Sequence, residues 1–238
     1  MKINKLYILL TVIFLASCGG KEDLDFDSEI FFSLDEAHSY GSKIKNISLS
    51  HKNINSFPGE VSKFKNLEWL DISYNNLNYI PDNICNLNKL KVADFIHNDI
   101  NEFSNLTCLT SLEKLDLRSN NIKSVPPKGY LMTSLKELDL GNNTELKLNN
   151  SIGKITSLKI LKLDNCNLNV FPFSVLRLTK LERLDISYNH IKNIPKEIKW
   201  LINLKYLIVE SNNISEEQIA EIQKMIPNAI ISNTSDPY

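Results

Sequence analysis

The sequence predicts an α/β solenoid, a coil in which each turn contributes one short strand to a continuous parallel sheet. The pattern Leu-x-x-Leu-x-Leu-x-x-Asn-x-Leu, with other apolar residues allowed at the Leu sites, recurs eight times at steps of 22 or 23 residues. Within each copy the apolar residues alternate as on a strand with one buried face. Asparagine is also abundant, at 30 of 238 residues. The copies begin at Ile44, Leu67, Leu90, Leu112, Leu135, Leu158, Leu181 and Leu204.

Composition limits the class of protein before any motif is considered. Hydrophobic residues make up 42% of the chain, and the formal net charge is −1. This apolar share suffices for a core and is too low for a protein with many membrane spans. A near-neutral chain lacks the basic face that nucleic-acid phosphates require, so we expect no nucleic-acid partner.

The N-terminus has the features of a secretion signal. Residues 1–17 have a basic start followed by an apolar run that is too short to span a bilayer. Residues 15–18, Leu-Ala-Ser-Cys, resemble the lipobox of bacterial lipoproteins. The resemblance implies cleavage before Cys18, acylation of that residue and stable attachment to a lipid bilayer. A plain secretory signal with a coincidental cysteine is the alternative.

Residues 18–28 are polar and acidic, and they predict a tether between the lipid and the folded domain. Gly19 stands where an Asp suggests inner-membrane retention in many Gram-negative lipoproteins. Residues 21–23, Lys-Glu-Asp, resemble short signals that direct some lipoproteins to the cell surface. These resemblances imply an outer-membrane or surface lipoprotein of a Gram-negative bacterium. A solvated linker is the alternative interpretation of residues 21–23.

The repeated pattern resembles the leucine-rich repeat family over residues 44–214. The resemblance implies a right-handed horseshoe of about eight repeats of 22–23 residues, with the parallel β-sheet on the concave face and a cap at each end. The physical basis is independent of the resemblance. One repeat cannot bury its own apolar face, so neighbouring repeats must stack and share one core.

Position 9 of the repeat predicts a buried asparagine ladder. The chain leaves the strand here, inside the stack, where backbone N–H and C=O groups need partners. An asparagine amide supplies two donors and an acceptor on a short side chain, and a cysteine thiol supplies a weak donor. We therefore interpret these residues as structural. The ladder consists of Asn75, Asn98, Asn120, Asn143, Cys166, Asn189 and Asn212.

The flanking residues predict caps over both open ends of the solenoid. In the N-terminal cap, residues 29–43, Ser33 with Glu three residues later is a capping-box signature and predicts a short helix. In the C-terminal cap, residues 215–232, Ser215 with Gln three residues later predicts a second helix, followed by a last edge strand. Residues 233–238 are expected to be a tail.

The fifth repeat departs from the pattern. After Asn143 the next apolar residue, Leu146, comes one position late. This repeat also lacks the apolar-Pro pair that follows the ladder in five other repeats. We expect a local bulge on the convex side.

No set of residues suggests catalysis. His51 and His97 share position 8 but lie two turns apart, about 10 Å on strand spacing, which is too far to share a metal without movement. Cys85 and Cys108 occupy nearly matching places on the convex side of adjacent turns, so a disulfide and two free thiols both remain open. We therefore expect no enzyme activity, no cofactor and no metal.

Position 5 of the repeat points outward on the concave face and carries a row of aspartates. Asp71, Asp94, Asp116 and Asp139 follow one another at about 5 Å, and like charges at that spacing repel unless they are compensated. A calcium site or a basic partner is one interpretation. A structural role, common for Asp at this position in the family, is the other.

Aromatic and apolar residues on the concave face predict a contact surface for another protein. Trp69, Tyr74, Val92 and Ile96 lie on adjacent turns, and Trp or Tyr beside apolar neighbours is typical of binding hot spots. We name the predicted set the concave patch. It comprises Trp69, Asp71, Tyr74, Val92, Asp94, Ile96, Arg118, Tyr188 and Tyr206.

These features favour a membrane-anchored, non-enzymatic lipoprotein whose concave face binds another protein, in adhesion or in the cell envelope. The alternative is a lipoprotein that captures glycans or other nutrients for an uptake system. In that case Trp69, Tyr74 and Tyr188 would stack on sugar rings.

Overall fold

The structure, a computed structural model, describes residues 29–233, which form one parallel sheet of ten strands in sequence order. Strands two to nine come from the eight repeats, and the two caps contribute one strand each at the edges. The predicted solenoid is therefore confirmed. The strands are β1 (Ile30–Phe31), β2 (Asn46–Ser48), β3 (Trp69–Asp71), β4 (Val92–Asp94), β5 (Lys114–Asp116), β6 (Glu137–Asp139), β7 (Ile160–Lys162), β8 (Arg183–Asp185), β9 (Tyr206–Ile208) and β10 (Ile230–Ser232).

Seven of the eight repeats return to the sheet through a 3₁₀ helix. Pro58, Pro81, Pro172 and Pro195 each directly precede one of these helices and fix φ where the chain turns. A helical turn takes more room along the stack than a strand does, so the stack curves with the sheet on the concave side. The 3₁₀ helices are Gly59–Lys63, Asp82–Asn86, Ser104–Cys108, Gly129–Leu131, Ile152–Lys154, Phe173–Arg177 and Lys196–Trp200, with Gly41–Lys43 in the N-terminal cap.

One apolar core runs the length of the described chain, from Phe31 to Ala229. The middle residue of each strand points into it. Leu70 in β3, for example, is fully buried and pairs in register with Ile47 of β2 and Ala93 of β4. Stacking therefore buries the apolar face that a single repeat would expose.

The ladder asparagines bind the backbone of two turns at once. Asn120 donates through Nδ2 to the carbonyl oxygen of Phe95 in the preceding turn at 2.9 Å, and to Leu117 in its own turn at 3.0 Å. Its Oδ1 accepts from the N–H of Ile100, also in the preceding turn, at 3.0 Å. The same bonds recur, with distances of 2.8 to 3.1 Å, at Asn75, Asn98, Asn143, Asn189 and Asn212.

Cys166 replaces the asparagine in the sixth repeat and changes the turn before it. Its thiol reaches the carbonyl oxygen of Leu140 at 3.1 Å, but it has no carbonyl oxygen with which to accept an N–H from the fifth repeat. There the N–H of Leu146 instead donates to the carbonyl oxygen of Asn143 at 3.0 Å. The late position of Leu146 is thus accommodated by a tight hydrogen-bonded turn directly after Asn143. A bulge was expected further on, on the convex side.

A capped helix covers each end of the core. Helix α1 (Leu34–His38) follows Ser33, whose Oγ accepts the N–H of Glu36 at 3.2 Å. Helix α2 (Glu216–Met225) follows Ser215, whose Oγ accepts the N–H of Gln218 at 3.2 Å. Gln218 also accepts the N–H of Ile194 through its Oε1 at 3.0 Å, which ties the C-terminal cap to the seventh repeat.

Cys85 and Cys108, which lie 23 residues apart in adjacent turns, form a disulfide and are not two free thiols. Within residues 29–233, no helix is long and apolar enough to cross a membrane. The predicted signal peptide, Cys18 and the tether lie outside the described residues.

Replacing Asn120 with alanine should lower the free energy of unfolding by about 1–3 kcal/mol, because buried carbonyl and N–H groups in two turns lose their partners. Urea denaturation followed by circular dichroism measures the change. Asn121→Ala is the matched control, since the neighbouring Asn121 side chain is exposed. Equal stability of both variants would contradict the structural role of the ladder.

Reduction of the disulfide should also destabilise the fold. Opening a cross-link with a sequence separation of 23 costs about 3 kcal/mol if the unfolded chain is otherwise unstructured. Thermal unfolding with and without a reductant tests this in the wild type. In the double variant Cys85→Ala, Cys108→Ala the reductant should have no effect, and a wild-type melting temperature that ignores it would contradict the bond.

Candidate functional site: the concave face

Position 8 of each repeat forms a row along the concave face, just beyond the strands. At each of these residues the chain adopts a left-handed backbone conformation, with φ between 50° and 57°. The N–H of His97, for example, donates to the carbonyl oxygen of Arg118 in the next turn at 3.0 Å, so the row stays in register. The row consists of His51, Tyr74, His97, Ser119, Asn142, Asn165, Tyr188 and Ser211.

The first three residues of this row form an aromatic stack, which we define as His51, Tyr74 and His97. The ring centroid of Tyr74 lies 4.4 Å from that of His51 and 4.6 Å from that of His97, with the rings inclined by 12° and 29°. Tyr74 therefore separates the two histidines, and both faces of its own ring are covered. All three side chains are nonetheless exposed at their edges.

The structure divides the concave patch into covered and exposed residues. Trp69, Val92 and Asp94 are only 8%, 7% and 8% exposed, so they offer little surface to a ligand. These residues lie in β3 and β4, where strands about 4.8 Å away on either side cover them. Ile96 and Asp71 are half-buried, and Arg118 is exposed.

The exposed tyrosines fall into two groups. Tyr74 belongs to the second repeat, and Tyr188 and Tyr206 belong to the C-terminal turns, about 24 Å away on strand spacing. The hydroxyl of Tyr188 donates to Glu210 at 3.2 Å, and the guanidinium of Arg183 lies 5.7 Å from the ring centroid of Tyr206. The patch predicted as one surface is thus two clusters separated by polar turns.

The position-5 aspartates have a structural task. In five repeats the Oδ1 of Asp accepts the backbone N–H two residues later, as Asp94 does from Ile96 at 2.9 Å. The backbone N–H groups on either side of that N–H donate to carbonyl oxygens of the next turn, but the N–H between them has no backbone acceptor there. The Asp carboxylate supplies the acceptor that the sheet does not. The other four are Asp71, Asp116, Asp139 and Asp185.

Burial makes several of these carboxyl groups hard to ionise. Burial, reinforced by the neighbouring Asp71, raises the pKa of Asp94 to about 7. Burial and the adjacent Asp139 raise the pKa of Asp116 well above its ordinary value. In the seventh repeat, burial likewise raises the pKa of Asp185. The aspartate row therefore carries less negative charge near pH 7 than its sequence suggests.

Lys162 interrupts the aspartate row in the sixth repeat. Its Nζ lies 3.2 Å from Asp139 and 3.9 Å from Glu137, and these carboxylates raise its pKa despite burial. Lys114 pairs with Glu137 from the other side at 2.9 Å. Within residues 29–233, no group of three or more His, Cys, Asp or Glu residues is arranged to hold a metal ion.

Gly141 is the one position-7 residue without a side chain, and its neighbour requires this. A Cβ at Gly141 would lie 2.4 Å from Oδ1 of Asp164 in the next turn. The Asp164 carboxyl is itself largely buried, which raises its pKa to about 6. The close approach brings a third acidic side chain beside Asp139 and Asp185.

The sequence matches the family described as Leucine rich repeat at residues 110–168 and 156–214, and again at residues 66–87. Together these matches cover more than half of the chain. The chain is a leucine-rich repeat protein. No curated protein matches its sequence.

Solved structures of other leucine-rich repeat proteins are similar to this chain. Internalin C2 from Listeria monocytogenes aligns with a TM-score of 0.67 and 22% identity, over 78% of each chain. The plant peptide hormone receptor RGFR1, in complex with RGF2, aligns with a TM-score of 0.61 and 26% identity, over 73% of this chain and 29% of the receptor. The ectodomain of GASSHO1/SCHENGEN3 from Arabidopsis thaliana, in complex with Casparian strip integrity factor 2, aligns with a TM-score of 0.55 and 25% identity. That alignment covers 78% of this chain and 26% of the ectodomain.

One charged feature of this leucine-rich repeat protein was missed in the sequence. Position 2 carries lysine or glutamate in every repeat, and most neighbours have opposite charge. Glu68 bridges Lys45 and Lys91 at 3.5 and 2.9 Å, and Glu113 pairs with Lys136 at 2.7 Å. Glu182 likewise contacts Lys159 and Lys205. The alternation of lysine and glutamate at position 2 was the signal in the sequence for these ion pairs. The aromatic stack was also missed, and its signal was three ring residues at position 8 of successive repeats.

Replacing Asp94 with asparagine should make stability less dependent on pH. The folded pKa of Asp94, about 7, lies above the ordinary value of 3.8, so the folded state holds a proton that the unfolded state releases. Stability is therefore lost as pH rises through 7, and acidification from pH 8 to 5 should raise the melting temperature of the wild type.

An asparagine keeps the oxygen that accepts from Ile96 and removes the ionisation. We expect Asp94→Asn to gain at least about 1.4 kcal/mol over wild type at pH 8, the equivalent of one pKa unit, and to gain less at pH 5, where the folded state still holds the proton. Differential scanning calorimetry measures both. The exposed Asp99→Asn is the control, and an Asp94→Asn variant that is destabilised at pH 8 would refute the argument.

Proposed function

We propose that this leucine-rich repeat protein is a membrane-anchored, non-enzymatic lipoprotein whose concave face binds another protein. The observation that carries the proposal is the set of exposed tyrosines in two clusters on that face. Tyr74, Tyr188 and Tyr206 are 44%, 50% and 42% exposed. Tyrosine supplies large contact area at little entropic cost and is enriched in binding hot spots.

The structural relatives support a protein or peptide as the ligand. RGFR1 is a peptide hormone receptor in complex with RGF2, and the GASSHO1/SCHENGEN3 ectodomain is in complex with an integrity factor. These receptors are much longer than this chain, which spans 29% and 26% of them. The inference from them extends to the kind of ligand and not to its identity.

The chemistry of the described cysteines supports a non-enzymatic function. Burial raises the pKa of the Cys166 thiol to about 12, so it is not a ready nucleophile. Cys85 and Cys108 are joined to each other. Within residues 29–233 these are the three cysteines, so a thiol-based enzyme would lack its nucleophile there.

Two features support export and anchoring. Residues 15–18 have the lipobox sequence, with Cys18 as the acylation site. The disulfide on the convex side suits an oxidising compartment outside the cytoplasm. We place the protein on the outer membrane or the cell surface of a Gram-negative bacterium, in adhesion or in contacts within the envelope.

Glycan capture is the second candidate, and the ring geometry weakens it. Of the three rings expected to stack on sugars, Trp69 is buried and Tyr74 has a histidine on each face. Tyr188 remains, with Tyr206 as a neighbour. Glycan binding that is lost in Tyr188→Ala on a glycan array would favour this candidate over a protein ligand.

The Cys18→Ala variant should be released from the membrane fraction, because acylation requires the cysteine sulfur and its free amine. Cell fractionation followed by immunoblotting measures the distribution. Ser17→Ala is the control, since it keeps a small residue before the cysteine, and we expect it to remain anchored. Membrane retention of Cys18→Ala would refute the lipoprotein assignment.

A photo-cross-linking amino acid at position 188 should capture a partner protein in intact cells. The matched control replaces Tyr130, which is 52% exposed but lies in the 3₁₀ helix Gly129–Leu131 on the convex side. We expect a discrete cross-linked species from position 188 and none in common with position 130. Identical products from both positions, or none from position 188, would argue against a concave binding face.

A further inference from the structure

The N-terminal half of the concave face combines rings with unpaired positive charge. The aromatic stack occupies the first three turns, and Arg118 occupies the fourth, directly beside His97. Within residues 29–233, no hydrogen bond or ion pair engages the guanidinium of Arg118. An exposed guanidinium with no carboxylate within ion-pair distance is suited to an external one.

The backbone holds these side chains in fixed order. The N–H of His51 donates to the carbonyl oxygen of Ser73 at 3.2 Å, that of Tyr74 to Ile96 at 2.7 Å, and that of His97 to Arg118 at 3.0 Å. Each bond joins one turn to the next. The surface is thus organised in advance and does not have to be ordered when a ligand binds.

Tyr74 is poorly matched to its backbone conformation, which histidine tolerates better. At φ values of 51° to 55°, His51, Tyr74 and His97 occupy the left-handed region, which favours Gly and Asn. In the fifth and sixth repeats the same position is filled by Asn142 and Asn165, which suit it better. A tyrosine in a backbone conformation that disfavours it, with the edge of its ring exposed, indicates a role besides stability.

The electrostatic surroundings leave the positive charge largely uncompensated. Partial burial, Arg118 and His51 together lower the pKa of His97, so His97 lies in a positive local potential. The strands that precede His97 and Arg118 carry Asp94 and Asp116, which are buried and have raised pKa values. The charge of Arg118 also acts on Asp164, a largely buried carboxyl group whose pKa burial raises to about 6. Asp99, two residues after His97, is exposed on the same turn, as is Glu102.

We propose that the aromatic stack and Arg118 form a subsite for an acidic segment of a polypeptide ligand. The subsite spans four turns, or about 14 Å, which matches four or five residues of an extended peptide. Carboxylates of the ligand bind Arg118 and the ring N–H groups of the histidines, while Ile96 and the edge of Tyr74 contact its apolar portions. This inference rests on the proposed function, of which it specifies the partner's chemistry.

A short peptide fits better than an extended polyanion. The whole chain has a net charge of −1, and position 2 balances its own lysines with glutamates. Beyond a screening length of about 8–10 Å a ligand experiences no strong positive field. A nucleic acid or an anionic membrane needs a wider basic surface, whereas a few carboxylates need only the local one.

The test uses two synthetic probes and the purified full chain. The acidic probe is pentaglutamate, acetylated and amidated at its ends, and the neutral isostere is pentaglutamine with the same end groups. NMR titration of the histidine C2–H resonances reports on His51 and His97, with the exposed His190 in the seventh repeat as internal control. We expect the pentaglutamate probe to raise the pKa of His97 by about one unit, equivalent to about tenfold tighter binding at low than at high pH.

Two variants separate binding from folding. Arg118→Gln should weaken binding of the pentaglutamate probe by about tenfold, the effect of one charge-assisted hydrogen bond. Tyr74→Asn places the residue favoured by the backbone into the row, so it should fold with an unchanged or higher melting temperature and still lose most of the binding. Loss of binding together with loss of the fold in both variants would overturn the proposal.

Other outcomes decide the remaining points. Equal effects of the pentaglutamate and pentaglutamine probes, or an unchanged His97 resonance, would overturn the acidic subsite. Arg118-dependent binding to phosphatidylglycerol vesicles that exceeds binding to the pentaglutamate probe would also overturn it, in favour of a membrane surface. Cross-linking through position 188 is independent of the acidic subsite, so a captured partner with no response to pentaglutamate would refute this inference and leave the proposed function standing.

Discussion

The fold depends on partners for the backbone groups that are buried where each strand ends. A chain that leaves a strand inside a stack turns away from its hydrogen-bonded neighbours, and water cannot reach the groups left behind. In this protein the ladder asparagines supply those partners. Each one, as Asn120 does, binds carbonyl groups in its own turn and in the preceding turn and accepts an N–H from the latter. Stacking is thereby specified as well as stabilised.

The exception at Cys166 shows how strictly this constraint acts. A thiol reproduces the donor of the asparagine amide, as its contact with Leu140 shows, but not the acceptor. In the turn before it, Leu146 follows the ladder residue by one position more than usual, and its N–H finds an acceptor locally at the carbonyl oxygen of Asn143. Two departures in the sequence, one in the fifth repeat and one in the sixth, are therefore a single compensated change. The Asp side chains at position 5 meet the same requirement one step earlier along the chain.

The architecture could be predicted from the sequence because its causes are periodic. The 23-residue spacing, the alternation of apolar residues and the capping signatures at Ser33 and Ser215 each reflect a local rule. The accessibility of the concave patch could not be predicted in this way. Trp69 lies on the outward side of its strand, as expected, but neighbouring strands cover it, and the extent of that cover depends on the side chains of adjacent turns. The pairing of Cys85 with Cys108 likewise required their relative orientation. Tyr74 was recognised as a surface residue, although its position between two histidines was not.

The separation of tasks within each repeat explains where binding function can reside. Positions 4, 6 and 9 are fixed by the core and the ladder, and position 5 is largely fixed by the N–H that its carboxylate accepts. Position 8 is constrained only in its backbone, since any residue that tolerates a left-handed conformation leaves the ladder intact. The fifth and sixth repeats use Asn there, which the backbone favours. Four turns use histidine or tyrosine instead, and in two of them the residue is a tyrosine, which the left-handed conformation disfavours. Because the core and the asparagine ladder do not fix these side chains, their row is the place to look for the ligand.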